Sequence, residues 1–120
     1  MSRPLAVKIT CGAEAAERAN QGLTVSAAAV AAGAEVSLWL TGDAVWFGVL
    51  DRCPDLGLEH ATAASDLVDA VRTGGQITVC SQCALRRGLT ETDLVEGARI
   101  AGAAAFAEYV LRPDVQALVY

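Results

Sequence analysis

Four mostly apolar runs of strand length occur along the chain, with longer segments of helical spacing between them. The runs cover residues 5–10, 35–40, 76–79 and 115–120. From residue 14 apolar positions recur at helical spacing up to Gly33, which suits a helix C-terminus because glycine adopts left-handed backbone angles freely. Residues 66–74 and 101–111 predict two further helices. Strands separated by helices pair in parallel through right-handed crossovers, so we expect a three-layer α/β/α sandwich with a mainly parallel sheet of about five strands.

The segments between these elements predict turns and one long loop. Thr41-Gly42-Asp43 reads as a turn, and residues 44–50 form a compact apolar piece that suits a short helix. Residues 51–62 contain proline, glycine and acidic residues without a sustained period, which predicts a loop. Thr90-Glu91-Thr92-Asp93 resembles a capping box, which predicts a helical segment over residues 94–98.

Length and apolar content predict one oligomeric domain. A chain of 120 residues fits a single domain over residues 1–120, because a second core would lack material. The apolar fraction of 53% against 19% charged residues is high for a small soluble monomer. We therefore expect part of the apolar surface to be buried against another subunit.

Charge and segment lengths exclude several classes of partner. Nine basic and fourteen acidic residues leave a net charge of −5 without a basic cluster, so nucleic acid is disfavoured. The longest uncharged apolar stretches, such as residues 27–34, fall far short of the roughly 20 residues of a membrane span. The first residues lack the apolar core of a signal peptide, which predicts a cytoplasmic protein. In that reducing compartment the four cysteines are expected to be reactive, metal-binding or buried thiols.

The candidate chemistry is concentrated in residues 80–88, Cys-Ser-Gln-Cys-Ala-Leu-Arg-Arg-Gly. Cys80 stands where the third strand ends and a helical turn begins, at the sheet edge where open parallel sheets bind ligands. The positive end of that helix and the nearby Arg86 and Arg87 favour the thiolate of Cys80 over the thiol. A stabilised thiolate is a nucleophile, so Cys80 is the leading catalytic candidate.

Several segments together resemble the DsrE/DsrF/TusD family. The strand-terminal Cys80 is followed by Ala84-Leu85-Arg86-Arg87-Gly88 and then by Asp93-Leu94-Val95-Glu96-Gly97-Ala98. Thr41-Gly42-Asp43-Ala44-Val45 after the second strand and Glu17-Arg18-Ala19 in the first helix also fit. The likeness therefore spans nearly the whole chain.

The resemblance implies a flavodoxin-like fold, assembly into trimers or hexamers, and a cysteine that carries sulfur as a persulfide between donor and acceptor proteins. Cys80 matches that cysteine by position. No cofactor is implied. The expected function is an intracellular sulfur relay of the persulfide sulfurtransferase type.

The other cysteines admit several roles. Cys83 could resolve a persulfide into a disulfide, form a redox pair with Cys80, or pack as a small hydrophobic residue. Cys11 follows the first strand at the same sheet edge and could approach Cys80 if the two strands are neighbours. Cys53 and His60 lie in the long loop and could cover the site as a lid, although a solvated loop is the more ordinary interpretation. A zinc site built from Cys80, Cys83 and two of these residues is disfavoured, because only one ligand pair has familiar spacing.

Two other classes of function stay open. The Cys-x-x-Cys spacing of Cys80 and Cys83 is compatible with a thiol-disulfide oxidoreductase, although no aromatic residue precedes the motif. The chain could also be a non-catalytic oligomeric protein of the same fold that binds a small ligand or a partner. Dinucleotide binding is disfavoured because no glycine fingerprint follows any strand.

Overall fold

The computed structural model describes residues 3–120, which form a five-stranded sheet in the order β4-β3-β2-β1-β5 with every neighbouring pair parallel. The strands are β1 (Pro4–Ile9), β2 (Glu35–Leu40), β3 (Gln76–Cys80), β4 (Arg99–Ala101) and β5 (Gln116–Val119). The α-helices are α1 (Ala16–Ala31), α2 (Ala64–Gly74), α3 (Ser81–Arg86) and α4 (Ala103–Val110). Short 3₁₀ helices cover Ala13–Ala15, Gly42–Gly48 and Glu91–Asp93. Helices lie on both faces of the sheet, which confirms the predicted three-layer α/β/α architecture.

Helices α1 and α2 cover an apolar face of the sheet. Helix α1 approaches β1 closely at Gly22, where a Cβ atom would lie only 2.6 Å from Cγ1 of Ile9. The 3₁₀ helix Gly42–Gly48 packs on the same face, and its Phe47 side chain is fully buried. Because successive strand residues point to opposite faces, this face collects every second residue of the central strands. They are Val7, Ile9, Val36, Leu38, Leu40, Ile77 and Val79.

The opposite face is more polar and is covered by α4. Lys8, Trp39 and Thr78 lie side by side on it, since Lys8 pairs with Trp39 and Trp39 pairs with Thr78 across the strands. Phe106 of α4 meets the Trp39 ring edge-on, with the ring centroids 5.2 Å apart. The Nζ atom of Lys8 lies 4.8 Å from the centroid of the same Phe106 ring. A single short helix thus covers the face that carries the polar residues.

The predicted strand and helix positions agree with the structure except near the C-terminal third. Gly33 adopts a φ of 92° directly after α1, as expected for a glycine that ends a helix. The fourth strand in chain order, β4, was not predicted because its three residues are too few to show a period. The helix expected from residue 101 begins at Ala103, because Ala101 belongs to β4.

The helix predicted over residues 94–98 is wrong. The backbone N–H of Thr90 donates to Oδ2 of Asp93 at 2.8 Å, as a capping box requires, but the turn that follows is only the 3₁₀ helix Glu91–Asp93. Leu94 then forms an isolated antiparallel bridge with Val49. Tertiary pairing therefore outweighs the local helix signal at this point.

Residues 51–62 form no helix or strand, in agreement with the predicted loop. Within residues 3–120, no helix combines the length and the apolar character needed to cross a bilayer.

Candidate functional site

Cys80 is the last residue of β3 and the N-cap of α3. Its side chain is partly exposed and lines a narrow cleft of about 40 Å³ on the α4 side of the sheet. The other lining residues are Lys8, Trp39, Thr41, Ala101, Gly102, Ala103 and Phe106. The thiol is therefore accessible at the carboxyl edge of the parallel sheet, where such folds bind ligands.

The surroundings of Cys80 favour its ionised form. Partial burial raises the pKa of the thiol, but donors at the start of α3 outweigh this effect. The backbone N–H groups of Cys83 and Gln82 and the thiol of Cys83 favour the Cys80 thiolate and lower its pKa, and the ammonium of Lys8 adds a smaller favourable charge. The net result is a pKa below that of a free cysteine, so a larger share of Cys80 is thiolate near neutral pH.

Cys83 lies in α3, three residues after Cys80, and is buried. Its sulfur accepts a hydrogen bond of 3.2 Å from the backbone N–H of Gly42, and its thiol lowers the pKa of Cys80. Gly42 has a φ of 56°, and a Cβ atom there would lie 2.9 Å from the carbonyl oxygen of Thr10. Glycine is therefore required at the position that orients Cys83.

Arg86 and Arg87 make contacts away from the Cys80 sulfur. Arg87 donates through Nη2 to Oδ1 of Asp43 at 2.7 Å and through Nη1 to the carbonyl oxygen of Cys83 at 3.1 Å. Arg86 donates to the side chain of Gln82 at 3.3 Å. Arg87 thus links α3 to the turn that contains Gly42, and a direct supporting role of either arginine in the chemistry stays a prediction.

Lys8 provides the positive charge that acts on Cys80, and the sequence analysis missed it. A visible signal was present, since Lys8 is the only charged residue in an otherwise apolar strand segment from Leu5 to Ile9. Its relevance depends on which strands are neighbours and which face they share.

Cys11 is buried and lies in the core, with its thiol 3.9 Å from the carbonyl oxygen of Ala15. Burial raises its pKa, and the nearby Arg18 opposes this only in part. Strand β2 separates β1 from β3, so the condition under which Cys11 and Cys80 would approach each other is not met. A supporting role for Cys11 stays a prediction.

Cys53 and His60 lie on the α1 and α2 side of the molecule. Cys53 lines a depression with Phe47 and Val68, and burial raises its pKa. His60 lies beside Glu17 in a different depression. Neither residue covers the Cys80 cleft, which opens on the other side of the sheet. No group of three or more His, Cys, Asp or Glu residues within 3–120 is arranged to hold a metal ion.

The model of the DsrE/DsrF-like family matches residues 5–116. This chain belongs to the DsrE/DsrF-like family. The resemblance inferred from residues 17–19, 41–45 and 80–98 is thereby confirmed, and the chain falls within a sulfur-relay family at this general level. Persulfide transfer by a named relative is a finer question that family membership leaves open.

Two archaeal proteins are similar in sequence to this DsrE-like chain. Uncharacterized protein MK0008 of Methanopyrus kandleri is 32% identical over 85 residues, which span 71% of this chain and 68% of that protein. Uncharacterized protein MJ0989 of Methanocaldococcus jannaschii is 33% identical over 85 residues, with 71% and 72% covered.

Two solved structures share the fold of this DsrE-like chain. YchN of E. coli aligns with a TM-score of 0.81 at 17% identity and covers 98% of this chain and 99% of its own. MTH1491 of Methanobacterium thermoautotrophicum, a protein of unknown function, aligns with a TM-score of 0.67 at 12% identity over the full length of both chains. At these identities the likeness establishes the architecture alone.

Iodoacetamide is expected to alkylate Cys80 before Cys11 and Cys53. The pKa of Cys80 is lowered whereas burial raises the pKa of the other two, so the alkylation rate of Cys80 should rise and level off at lower pH. Peptide mass spectrometry of timed reactions across a pH series measures each rate. If the alkylation rate of Cys80 rose only at a higher pH than that of Cys53, the described electrostatics would be contradicted.

Replacing Cys83 tests whether its thiol stabilises the Cys80 thiolate. Cys83→Ala removes the donor and is expected to slow alkylation of Cys80 at neutral pH by about threefold to tenfold. Cys83→Ser keeps a donor of similar position and should stay within about twofold of the unmodified protein. Circular dichroism melting checks that both variants are folded, and equal rates for all three proteins would exclude this role of Cys83.

Proposed function

We propose that this protein is a cytoplasmic sulfur-relay protein that carries sulfane sulfur as a persulfide on Cys80. The observation that supports this most is a partly exposed thiol with a lowered pKa at the carboxyl edge of the sheet. Nucleophilic attack on a donor persulfide requires a thiolate, and onward transfer requires that the added sulfur be accessible to an acceptor. Family membership supports the same assignment at the general level.

The proposed transfer proceeds in two displacement steps. The Cys80 thiolate attacks the outer sulfur of a donor persulfide, R–S–SH, so that a new S–S bond forms at Cys80 and the donor S–S bond breaks. The products are the Cys80 persulfide and the donor thiolate, and the proton remains on the transferred sulfur. An acceptor thiolate then attacks this outer sulfur and regenerates the Cys80 thiolate. No net oxidant, reductant or cofactor is needed.

Loading of Cys80 with sulfur from a small-molecule donor tests this function directly. Incubation with inorganic polysulfide or glutathione persulfide is expected to add the mass of one sulfur to the Cys80 peptide. Cys80→Ser should lose the adduct, whereas Cys53→Ser, a matched cysteine change on the other side of the sheet, should keep it. Mass spectrometry after blocking with iodoacetamide measures the adduct, and its absence with both donors would exclude the proposal.

The contact between Cys83 and Cys80 favours a thiol-disulfide oxidoreductase as a second candidate function. The Cys83 thiol contributes to the lowered pKa of Cys80, so the two side chains are close enough to influence each other. If glutathione redox buffers convert the pair into a stable disulfide and Cys83→Ser abolishes turnover, this second function replaces the first. Persulfide formation that survives Cys83→Ser favours the relay.

We further propose that the protein forms a homo-oligomer, a trimer or hexamer, through α4 and the β5 edge. Helix α4 is mostly apolar yet contains no buried residue. Leu111, which follows it, is 80% exposed, and Val119 on the edge strand β5 is 63% exposed. Apolar side chains at an uncovered sheet edge favour association. Ala103 and Phe106 of α4 also line the Cys80 cleft, so subunits joined there would border the site.

Size-exclusion chromatography with light scattering is expected to give the mass of a trimer or hexamer at micromolar concentration. Leu111→Glu places a charge in the proposed interface and should shift the mass toward that of the monomer. Leu50→Glu changes an exposed leucine away from α4 and should leave the mass unaltered. A monomeric unmodified protein would contradict the proposal.

A further inference from the structure

Lys8 is a cation within the sheet that has no carboxylate partner in the described part of the chain. The ion pairs among residues 3–120 all join an arginine to an aspartate. The Nζ atom of Lys8 instead lies 4.8 Å from the centroid of the Phe106 ring, and the side chain is only partly exposed. A partly desolvated ammonium without a counter-ion is unfavourable, so the position suits an anion that is present during function.

The register of the strands directs Lys8 toward the cleft of Cys80. Lys8 is aligned with Trp39, and Trp39 is aligned with Thr78, which lies two residues before Cys80 on the same face of β3. Both Lys8 and Cys80 line the cleft. They are the only titratable residues among those that line it, whether from the strands or from the start of α4.

A second group at the cleft also lacks a partner. Trp39 is 4% exposed, and its indole N–H is buried without a hydrogen-bond acceptor among residues 3–120. Buried donors are nearly always paired in folded proteins. This N–H has no contact with solvent, so the preference of the cleft for an occupant comes from Lys8, whose charge favours an anion.

The size of the cleft limits the occupant to one small group. Its volume of about 40 Å³ has room for a group of a few atoms, and a protein or peptide donor must stay outside. The outer sulfur of a Cys80 persulfide fits this limit, because it is attached to a side chain that already lines the cleft.

We propose that Lys8 is a positioning residue that holds the outer sulfur of the Cys80 persulfide as an anion in this cleft. This inference rests on the proposed relay function. The persulfide Cys80–S–SH releases its proton to solvent and becomes Cys80–S–S⁻, while Lys8 stays protonated and no bond between heavy atoms changes. The anion then pairs with the ammonium of Lys8. The effect is to retain the sulfur on Cys80 until an acceptor thiol reaches the opening of the cleft, transfers its proton to the outer sulfur and attacks that sulfur as a thiolate.

Neutralising Lys8 separates its effect from the loading of Cys80. Each protein is loaded with inorganic polysulfide, freed of excess donor and alkylated with iodoacetamide across a pH series. Lys8→Met keeps most of the length of the side chain and should still form the persulfide, but alkylation of the outer sulfur at neutral pH is expected to slow by about threefold to tenfold. Its pH profile should move toward alkaline pH. Lys8→Arg keeps the charge and should restore the rate to within about twofold.

The outcomes distinguish the two proposals. A persulfide that forms on Lys8→Met with an unchanged pH profile overturns the role of Lys8 and leaves the relay function standing. Failure of the unmodified protein to form any Cys80 persulfide overturns both. Lys8→Gln provides a second neutral variant should Lys8→Met not fold, as judged by circular dichroism. A loss of stability alone would lower the yield of folded protein without moving the pH profile, so the profile is the deciding measurement.

Discussion

The site depends on the parallel register of the three central strands. Alignment of Lys8 with Trp39, and of Trp39 with Thr78, brings residues from three separate segments onto one face of the sheet. Because side chains alternate between faces, a shift of one residue in β1 would turn Lys8 toward α1 and place an apolar residue beside the cleft. The pairing of the strands thus decides which residues line the cleft.

The two faces of the sheet divide stability and chemistry between them. The face under α1 and α2 is apolar and closely packed, as the short approach of Gly22 to Ile9 illustrates. Such packing supplies most of the free energy that favours the folded state. The face under α4 carries Lys8 and Cys80, which keep partial access to solvent, and is covered by one short helix. A rigid apolar layer therefore supports a more open polar one.

A chain of contacts connects the turn after β2 to the thiol. The N–H of Gly42 donates to Cys83, and the thiol of Cys83 lowers the pKa of Cys80. The ion pair of Arg87 with Asp43 joins the same turn to α3. Arg87, the C-cap of α3, contacts Asp43 and the carbonyl oxygen of Cys83 and so stabilises the geometry that orients Cys83. The family resemblance at the turn and at α3 accordingly concerns two segments that are in contact.

The sequence by itself determined the alternation of strands and helices, the family, and the place of Cys80 at a strand end. Each of these follows from local periodicity or from motifs of contiguous residues. Residues 94–98 show the limit of such signals, since a correct capping pattern there leads into an antiparallel bridge rather than a helix. Strand order and face were decided only in the tertiary structure. They separate Cys11 from Cys80 by a strand and bring Lys8 into the cleft, because neighbours in a sheet are selected by the packing of the whole chain and not by the residues beside them.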